Sequence, residues 1–202
     1  MTLDQLRPIT ERLLSPLVAA SISIGLTPNA VSVIALVVAG GAALAFSGVA
    51  TTPALGLLGA LLVFANGWLD LLDGAIARER NTTSPAGDLI DHVIDRYADI
   101  LVIVGVAAGC GQYWLGLTAV TGVLMTSYLG TQAQAVGLDR VYGGLVGRAD
   151  RLALVGVGGV LTTVLTDPIA GFTVFGWLLI LLTVVGHLTA LQRFYHALVA
   201  LE

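Results

Sequence analysis

The chain has 202 residues and a formal net charge of −4; 56% of its residues are hydrophobic and only 11% are charged. Because soluble domains carry about 25% charged residues, this composition excludes an ordinary soluble enzyme. It also excludes disorder, and the lysine-free, acidic balance argues against a nucleic-acid-binding protein. A single cysteine, Cys110, excludes an internal disulfide framework and a cysteine-based zinc site. The composition therefore predicts an all-α protein that crosses a membrane several times.

The segment 1–25 is predicted to lie on the membrane surface. It contains arginine and proline residues that interrupt any long apolar run. Its apolar residues recur at helical spacing: Leu3, Leu6, Ile9, Leu13 and Leu17. This pattern favours an interfacial amphipathic helix, with an unstructured tail as the alternative.

Six apolar stretches follow in the rest of the chain. They are Ala30–Phe46, Pro53 to about Leu69 with helix continuing through Arg78, Leu89–Ala108, Tyr113–Val136, Leu152–Leu165 and Ile169–Ala190. A bilayer-spanning helix needs about 20 residues, and only the fifth stretch is clearly shorter. We therefore expect a six-helix transmembrane core over 26–198, and we treat 1–202 as one membrane domain.

The distribution of arginines predicts the orientation in the membrane. With a cytoplasmic N-terminus, the outer loops near 48–52, 111–112 and 166–168 contain no arginine. The inner side then holds eight: Arg7, Arg12, Arg78, Arg80, Arg140, Arg148, Arg151 and Arg193. The positive-inside rule therefore predicts a multi-pass protein of the cell membrane with both termini in the cytoplasm.

Four aspartates stand at helical spacings around the second and third stretches. Asp70 and Asp73 are three residues apart and share one helix face, and Asp91 and Asp95 are four apart and share a face of the next helix. The short polar connection 79–87 predicts that the two helices are antiparallel neighbours. The four carboxylates should then converge near the inner surface of the membrane.

Such an acidic cluster needs counter-charges, because one charged side chain at the bilayer centre costs about 2.5–3.5 kcal/mol. Divalent cations remove this cost, and an all-oxygen site suits magnesium, manganese or calcium rather than zinc. Magnesium is usually held by few carboxylates together with substrate phosphates, which indicates a pyrophosphate-bearing substrate. The alternative is that Asp70 and Asp73 form buried ion pairs with arginines, but few arginines lie nearby in sequence.

Small residues accompany the aspartates on the first of these helices. Gly74 and Ala77 each lie about one turn from an aspartate and leave room for a ligand, and Arg78 can clamp a phosphate. Packing of small residues between helices is the alternative for Gly74 and Ala77. For Asp88 and Asp99 we expect an interfacial or supporting role rather than metal ligation.

The spacing D-x2-D-G-x2-A-R-x8-G-x3-D-x3-D, met at every specified position from Asp70 to Asp95, resembles the signature of the CDP-alcohol phosphotransferases. The resemblance extends from Leu26 to about Leu152. It implies six membrane spans, an N-terminal interfacial helix, a homodimer and an active site facing the cytoplasm. It also implies phospholipid synthesis, in which a lipid-phosphate group passes from CDP-diacylglycerol or CDP-archaeol to an alcohol and CMP is released.

The resemblance also implies roles for individual residues. Asp70, Asp73, Asp91 and Asp95 would bind two metal ions, usually Mg²⁺, with Mn²⁺ as an alternative, and Asp95 would be the general base. The CDP-lipid would be bound by Thr27, Pro28, Asn29, Asp70, Gly74, Ala77, Arg78 and Ser84. The segment 27–29 also fits a helix N-cap followed by proline, and both interpretations can hold together.

The acceptor alcohol is predicted from the later part of the chain. Ser127–Gly137 and the Arg148-x-x-Arg151 pair look like the branch that makes phosphatidylinositol phosphate and archaetidylinositol phosphate, which implies inositol phosphate held by the two arginines. That branch has basic residues at the positions of Gly130 and Gln132, so glycerol phosphate, serine and free inositol stay open. The arginines could instead anchor the helix to lipid headgroups.

Two other functional classes are alternatives to a transferase. A divalent-cation transporter would not explain Arg78, because an arginine beside a cation path repels the cargo. An inactive structural homologue would be favoured by loss of a signature aspartate, and all four are present.

Overall fold

The computed structural model describes residues 7–139 and 144–202, with side chains from residue 14 onward. Leu3, Leu6 and Arg140 lie outside the described residues, as do the side chains of Ile9 and Leu13. The described residues form seven helices: α1 (Arg7–Ser23), α2 (Pro28–Ser47), α3 (Leu55–Glu79), α4 (Pro85–Cys110), α5 (Tyr113–Ala135), α6 (Arg148–Leu161) and α7 (Val174–Leu201). The predicted all-α class is therefore confirmed.

The ends of two helices are set by local sequence. Thr27 caps α2, where its hydroxyl accepts a hydrogen bond from the backbone N–H three residues on at 3.3 Å, and Pro28 takes the first helical position. Ser84 and Pro85 repeat this arrangement at the start of α4, with a cap distance of 3.1 Å. At the other end of α4, Gly111 adopts φ +69°, which favours glycine and stops the helix.

The last two helices begin and end at other residues than the predicted apolar stretches. The fifth stretch was expected to reach Leu165, but α6 ends at Leu161. The sixth was expected to begin at Ile169, but Ile169 and Phe172 form an antiparallel bridge, with Gly171 at φ +85°. The apolar residues of this turn lengthen the hydrophobic stretch in the sequence, but they are not part of α7.

The prediction that the helices carrying the aspartates are antiparallel neighbours was wrong in detail. α2 packs extensively against both α3 and α4, whereas α3 and α4 make no extensive contact with each other. α6 packs against the other side of α3, and α5 packs against α4 and α7. A space is therefore left between the aspartate-bearing ends of α3 and α4.

Close packing around Phe46 holds the bundle together. The Phe46 ring is fully buried and meets Phe175 edge to face, with ring centroids 5.2 Å apart. Small residues bring the backbones close: a Cβ atom at Gly105 of α4 would lie 2.5 Å from the Ala43 Cα atom of α2, and one at Gly109 would lie 2.1 Å from the Phe46 carbonyl oxygen. Close contact between these helices depends on glycine at both positions.

The helix α1 is docked onto the bundle beside the aspartate-bearing end of α3. Its Leu14 and Val18 are buried in a small apolar cluster that includes Leu72 and Ile76. The Arg80 guanidinium also donates to the Ile22 carbonyl oxygen at 3.3 Å. The described part of the N-terminal segment is thus helical and is fixed beside the C-terminal end of α3.

Three helices of the described chain, α2, α3 and α7, are long and apolar enough to cross a membrane. Their outward faces carry large apolar side chains, such as Leu44 at 76% exposure and Phe64 at 69%. α4 carries Asp95, Arg96 and Asp99 within its length, and α6 has only 14 residues. Exposed apolar faces of this extent fit contact with lipid.

The contact between α2 and α4 yields a prediction for stability. Gly105→Ala places a methyl group against the α2 backbone, so we expect a lower melting temperature in detergent, with an overpacking cost of about 1–3 kcal/mol. Gly40→Ala is the matched control, because a Cβ atom there meets no atom within 4 Å. Equal melting temperatures for the two variants would contradict the assigned close contact.

Candidate active site

Three of the predicted metal ligands converge at the space between α3 and α4. Carboxylate oxygens of Asp70, Asp91 and Asp95 all lie within 4.8 Å of one another. Asp70 comes from the C-terminal half of α3, whereas Asp91 and Asp95 lie one turn apart on α4. Hard oxygen donors at this separation fit a divalent cation such as Mg²⁺ or Mn²⁺.

The fourth predicted ligand, Asp73, is turned toward α2. Its side chain is buried, and the Ser32 hydroxyl donates to Asp73 Oδ2 at 2.7 Å. The carboxyl group lines a cavity together with Asp91, beside the three-carboxylate cluster. Sequence reasoning missed Ser32, although its signal is visible: a polar residue one turn after Pro28 in an otherwise apolar helix.

Arg148, at the start of α6, contacts the same carboxylates that would bind a metal. Its Nη1 atom lies 2.6 Å from Asp70 Oδ1, and its Nη2 atom lies 2.8 Å from Asp95 Oδ1. Asp70 thus forms an ion pair with an arginine, as the alternative interpretation predicted. Its partner comes from α6, which is far from α3 in sequence. A metal ion in the cluster would share these two carboxylates with the guanidinium group.

A second charged group lies one turn further along α4. Asp99 is only 5% exposed, and the Arg151 Nη2 atom donates to its Oδ2 atom at 2.8 Å. Arg148 Nε and Arg96 Nη1 lie farther away, at 3.8 and 3.7 Å from the Asp99 oxygens. Arg96 also donates to the Ser127 hydroxyl of α5. The predicted acceptor arginines are therefore in contact with the acidic face of α4.

A cavity of about 450 Å³ opens beside the carboxylates. This volume falls within the range of about 300–1,000 Å³ that is typical of ligand sites. Seven of the eight residues predicted to bind the CDP-lipid line it: Thr27, Pro28, Asn29, Gly74, Ala77, Arg78 and Ser84. The eighth, Asp70, lies in the carboxylate cluster instead. Other lining residues that sequence reasoning missed include Ser32, Arg80, Thr82 and Thr83.

The surroundings of Gly74 separate the two interpretations of this small residue. Among the described residues, a Cβ atom there would meet only the Arg78 guanidinium, at 3.4 Å, and no neighbouring helix. Helix packing therefore does not account for Gly74. The missing side chain leaves the cavity wall open beside Arg78.

Comparison with known proteins identifies the class. The family model for CDP-alcohol phosphatidyltransferase matches residues 25–192, and the chain belongs to this family. It is accordingly a phosphotransferase of phospholipid biosynthesis and an integral membrane protein, and its family is metal-dependent.

Among curated proteins, the chain is similar to synthases of phosphoinositol lipids. It is 29% identical over 196 residues to the archaetidylinositol phosphate synthase of Methanothermobacter thermautotrophicus, covering 95% of this chain and 91% of the relative. It is 32% identical over 192 residues to the phosphatidylinositol phosphate synthase of Mycolicibacterium smegmatis, covering 90% and 82%.

Solved structures of the Mycobacterium tuberculosis phosphatidylinositol phosphate synthase share the fold. The complex with manganese and citrate aligns with a TM-score of 0.78 at 26% identity, covering 91% of this chain and 88% of that one. The complex with CDP-DAG aligns with a TM-score of 0.75 at 27% identity, covering 92% and 94%. The predicted family is thus confirmed, and the similar proteins belong to its predicted inositol phosphate branch.

The geometry of the carboxylate cluster predicts the effect of single substitutions on metal binding. Asp91→Asn removes a charged ligand from the cluster, so we expect it to bind Mn²⁺ at least about tenfold more weakly than the wild type does. Binding is measured by electron paramagnetic resonance of the free ion. Asp88→Asn is the control, because this exposed carboxylate on the same helix lies outside the cluster. A similar loss in both variants would show that general surface charge, rather than the cluster, attracts the ion.

Proposed function

We propose that the protein transfers the lipid-phosphate group of a CDP-lipid to inositol phosphate and releases CMP. The observation that carries this proposal is the meeting of three parts: a carboxylate cluster, a 450 Å³ cavity beside it, and Arg148, which contacts the cluster and lies near Asp99 together with Arg151. The cavity would take the CDP-lipid and the arginines the acceptor. The relatives named as inositol-lipid phosphate synthases support the choice of acceptor.

In this proposal the cavity holds the nucleotide and its pyrophosphate. Thr27 and Ser84 cap the N-termini of α2 and α4, and both residues line the cavity. Helix N-termini bind anions through their free N–H groups and the helix dipole. Arg78 adds a charged donor that can clamp a phosphate, and Gly74 leaves its approach open.

Asp70, Asp73, Asp91 and Asp95 would hold two metal ions, usually Mg²⁺. Three of these carboxylates already converge, and Asp73 lies on the cavity wall beside Asp91. The ions would neutralise the pyrophosphate and stabilise the leaving CMP. Ser32 would fix one oxygen of Asp73 through its hydrogen bond.

Asp95 would act as the general base. It would accept the proton of the acceptor hydroxyl, whose oxygen then attacks the β-phosphorus in line with the leaving CMP. The contribution of this carboxylate depends on its position beside the acceptor hydroxyl. Arg148 holds one Asp95 oxygen at 2.8 Å and supports this orientation.

For the acceptor, Arg148 and Arg151 would bind the phosphate of inositol phosphate. Because Gly130 and Gln132 are uncharged, glycerol phosphate is the next candidate, followed by serine and free inositol. A phosphate-bearing acceptor is favoured by three guanidinium groups near one position: those of Arg96, Arg148 and Arg151.

We propose further that 1–202 is one membrane domain in which α2–α7 span the bilayer and α1 lies at its inner surface. Arg78, Arg80 and Arg148 lie at the ends of α3 and α6 that meet at the site. The positive-inside rule then supports an active site and both termini facing the cytoplasm of the cell membrane. By family resemblance the protein would work as a homodimer.

An acceptor series tests the reaction. Purified protein in detergent, supplied with Mg²⁺ and CDP-archaeol or CDP-diacylglycerol, should release CMP with inositol phosphate faster than with glycerol phosphate, inositol or serine. CMP would be measured by chromatography. Equal or faster release with another acceptor would contradict the choice of inositol phosphate but not the transfer reaction. No release with any acceptor would contradict both.

The role of Asp95 is tested by its amide variant. Asp95→Asn should abolish turnover, because the amide cannot take the proton, while CDP-lipid is still bound in an equilibrium assay. Asp167→Asn, an exposed aspartate in the loop between α6 and α7, should turn over as the wild type does. Normal turnover by Asp95→Asn would rule out this residue as the base.

A further inference from the structure

The acidic face of α4 continues beyond the predicted metal ligands. Asp91, Asp95 and Asp99 follow one another at four-residue intervals, so all three point to one side of the helix. Asp99 is not part of the three-carboxylate cluster, and its side chain is almost completely buried. Its role must therefore be found in its own contacts.

Those contacts are all with cations. Asp99 accepts from Arg151 at 2.8 Å and has Arg148 and Arg96 at 3.8 and 3.7 Å. Arg148 also contacts Asp70 and Asp95, which the proposed metal ions would neutralise in the working enzyme. One carboxylate would then balance three guanidinium groups, leaving a local charge of about +2. A phosphate group carries about −1.5 to −2 at neutral pH and matches this excess.

The position of Arg151 depends on Asp99 in particular. Among the described residues, Asp99 is the only carboxylate that forms an ion pair with Arg151. Another side of Arg151 faces a cavity of about 40 Å³, which Thr126 and Thr189 also line without offering a charge. Asp99 of α4 thus both orients this buried guanidinium group and balances its charge.

We propose that Asp99 is a positioning residue that holds Arg96, Arg148 and Arg151 together as the binding site for the phosphate of the acceptor. This inference rests on the proposed function, because it assumes an acceptor that carries a phosphate. Arg96 reaches Ser127 of α5, one turn before the uncharged Gly130, and so supplies a cation where positions 130 and 132 have none.

A purely stabilising role explains this arrangement less well. A buried ion pair is often no more stable than apolar residues of the same volume, because both charges must leave water. Three cations around one acid are costlier still unless an anion joins them. With the proposed metal ions on Asp70 and Asp95, which otherwise pair with Arg148 and Arg96, the remaining positive charge points to a ligand. A phosphate is the anion that the neighbouring transfer site would bring.

Steady-state kinetics of the full-length protein in detergent test the proposal, with inositol phosphate and the CDP-lipid varied separately. Asp99→Asn should raise the KM for inositol phosphate about tenfold or more, because the charge that holds the three arginines together is lost. The KM for the CDP-lipid and the affinity for Mn²⁺ should change less than about twofold. Asp99→Glu restores the charge on a longer side chain and should give an acceptor KM between those of the wild type and Asp99→Asn.

Two further variants separate positioning from stability. Thr162→Val changes an equally buried polar side chain at the far end of α6, so it should lower the melting temperature but leave the acceptor KM unchanged. Combining Asp99→Asn with Arg151→Gln should raise the acceptor KM by less than the product of the single effects, because both act on one contact. An equal rise of both KM values, or full additivity, would overturn the role of Asp99.

If Asp99→Asn does not fold, the acceptor KM of Asp99→Glu alone tests the proposal. A rise confined to the acceptor KM supports the proposal, and an unchanged acceptor KM overturns it. The wild-type protein distinguishes this inference from the proposed function. Absence of CMP release with inositol phosphate contradicts the proposed acceptor. Turnover by the wild type, with an unaltered acceptor KM in Asp99→Asn, contradicts only the positioning role.

Discussion

The arrangement of this protein depends on compensating negative charge inside an apolar helix bundle. Asp70, Asp95 and Asp99 all face the interior of the site, and the bundle has no lysine with which to balance them. The compensation comes from α6, whose first turn places two arginines against this acidic face. A helix of only 14 residues thereby links α3 and α4, which do not pack extensively against each other. The space between those two helices is the proposed active site.

Glycine allows the helices to pack closely around that space. Gly56 of α3 approaches Gly159 of α6, and a Cβ atom at Gly56 would lie 2.3 Å from the Gly159 carbonyl oxygen. On α5, a Cβ atom at Gly122 would lie 3.1 Å from the His187 backbone nitrogen of α7. These contacts lie toward the end of α6 away from Arg148 and along the α5–α7 pair. They fix these pairs of helices, while a cavity of about 450 Å³ stays open beside the carboxylates.

Local sequence predicted the parts of the site that local chemistry determines. The cap at Thr27 follows from a hydroxyl residue before proline, and the facing of Asp91 and Asp95 follows from helical periodicity. The family signature then brought residues of two helices into one predicted site, and most of them line one cavity or one cluster. These features can be predicted from a short stretch of chain, or from a motif whose spacing determines which residues come together.

The remaining features depend on how distant helices pack, which no local pattern encodes. The insertion of α2 between α3 and α4 places Ser32 against Asp73, 41 residues away in sequence. The contact of Arg148 with Asp70 likewise joins α6 to α3. The family resemblance could assign the arginines to the acceptor, but it could not reveal that Arg148 also contacts the acids of the other half of the site.

That double role ties the two halves of the proposed reaction together. The Arg148 guanidinium contacts Asp70 and Asp95 on the metal side and lies near Asp99 on the arginine side. Metal ions on the first two carboxylates would weaken the hold of these acids on Arg148 and leave more of its charge for a phosphate. Under the proposed function, loading of the metal and donor side therefore strengthens the acceptor side, because both draw on one buried cation.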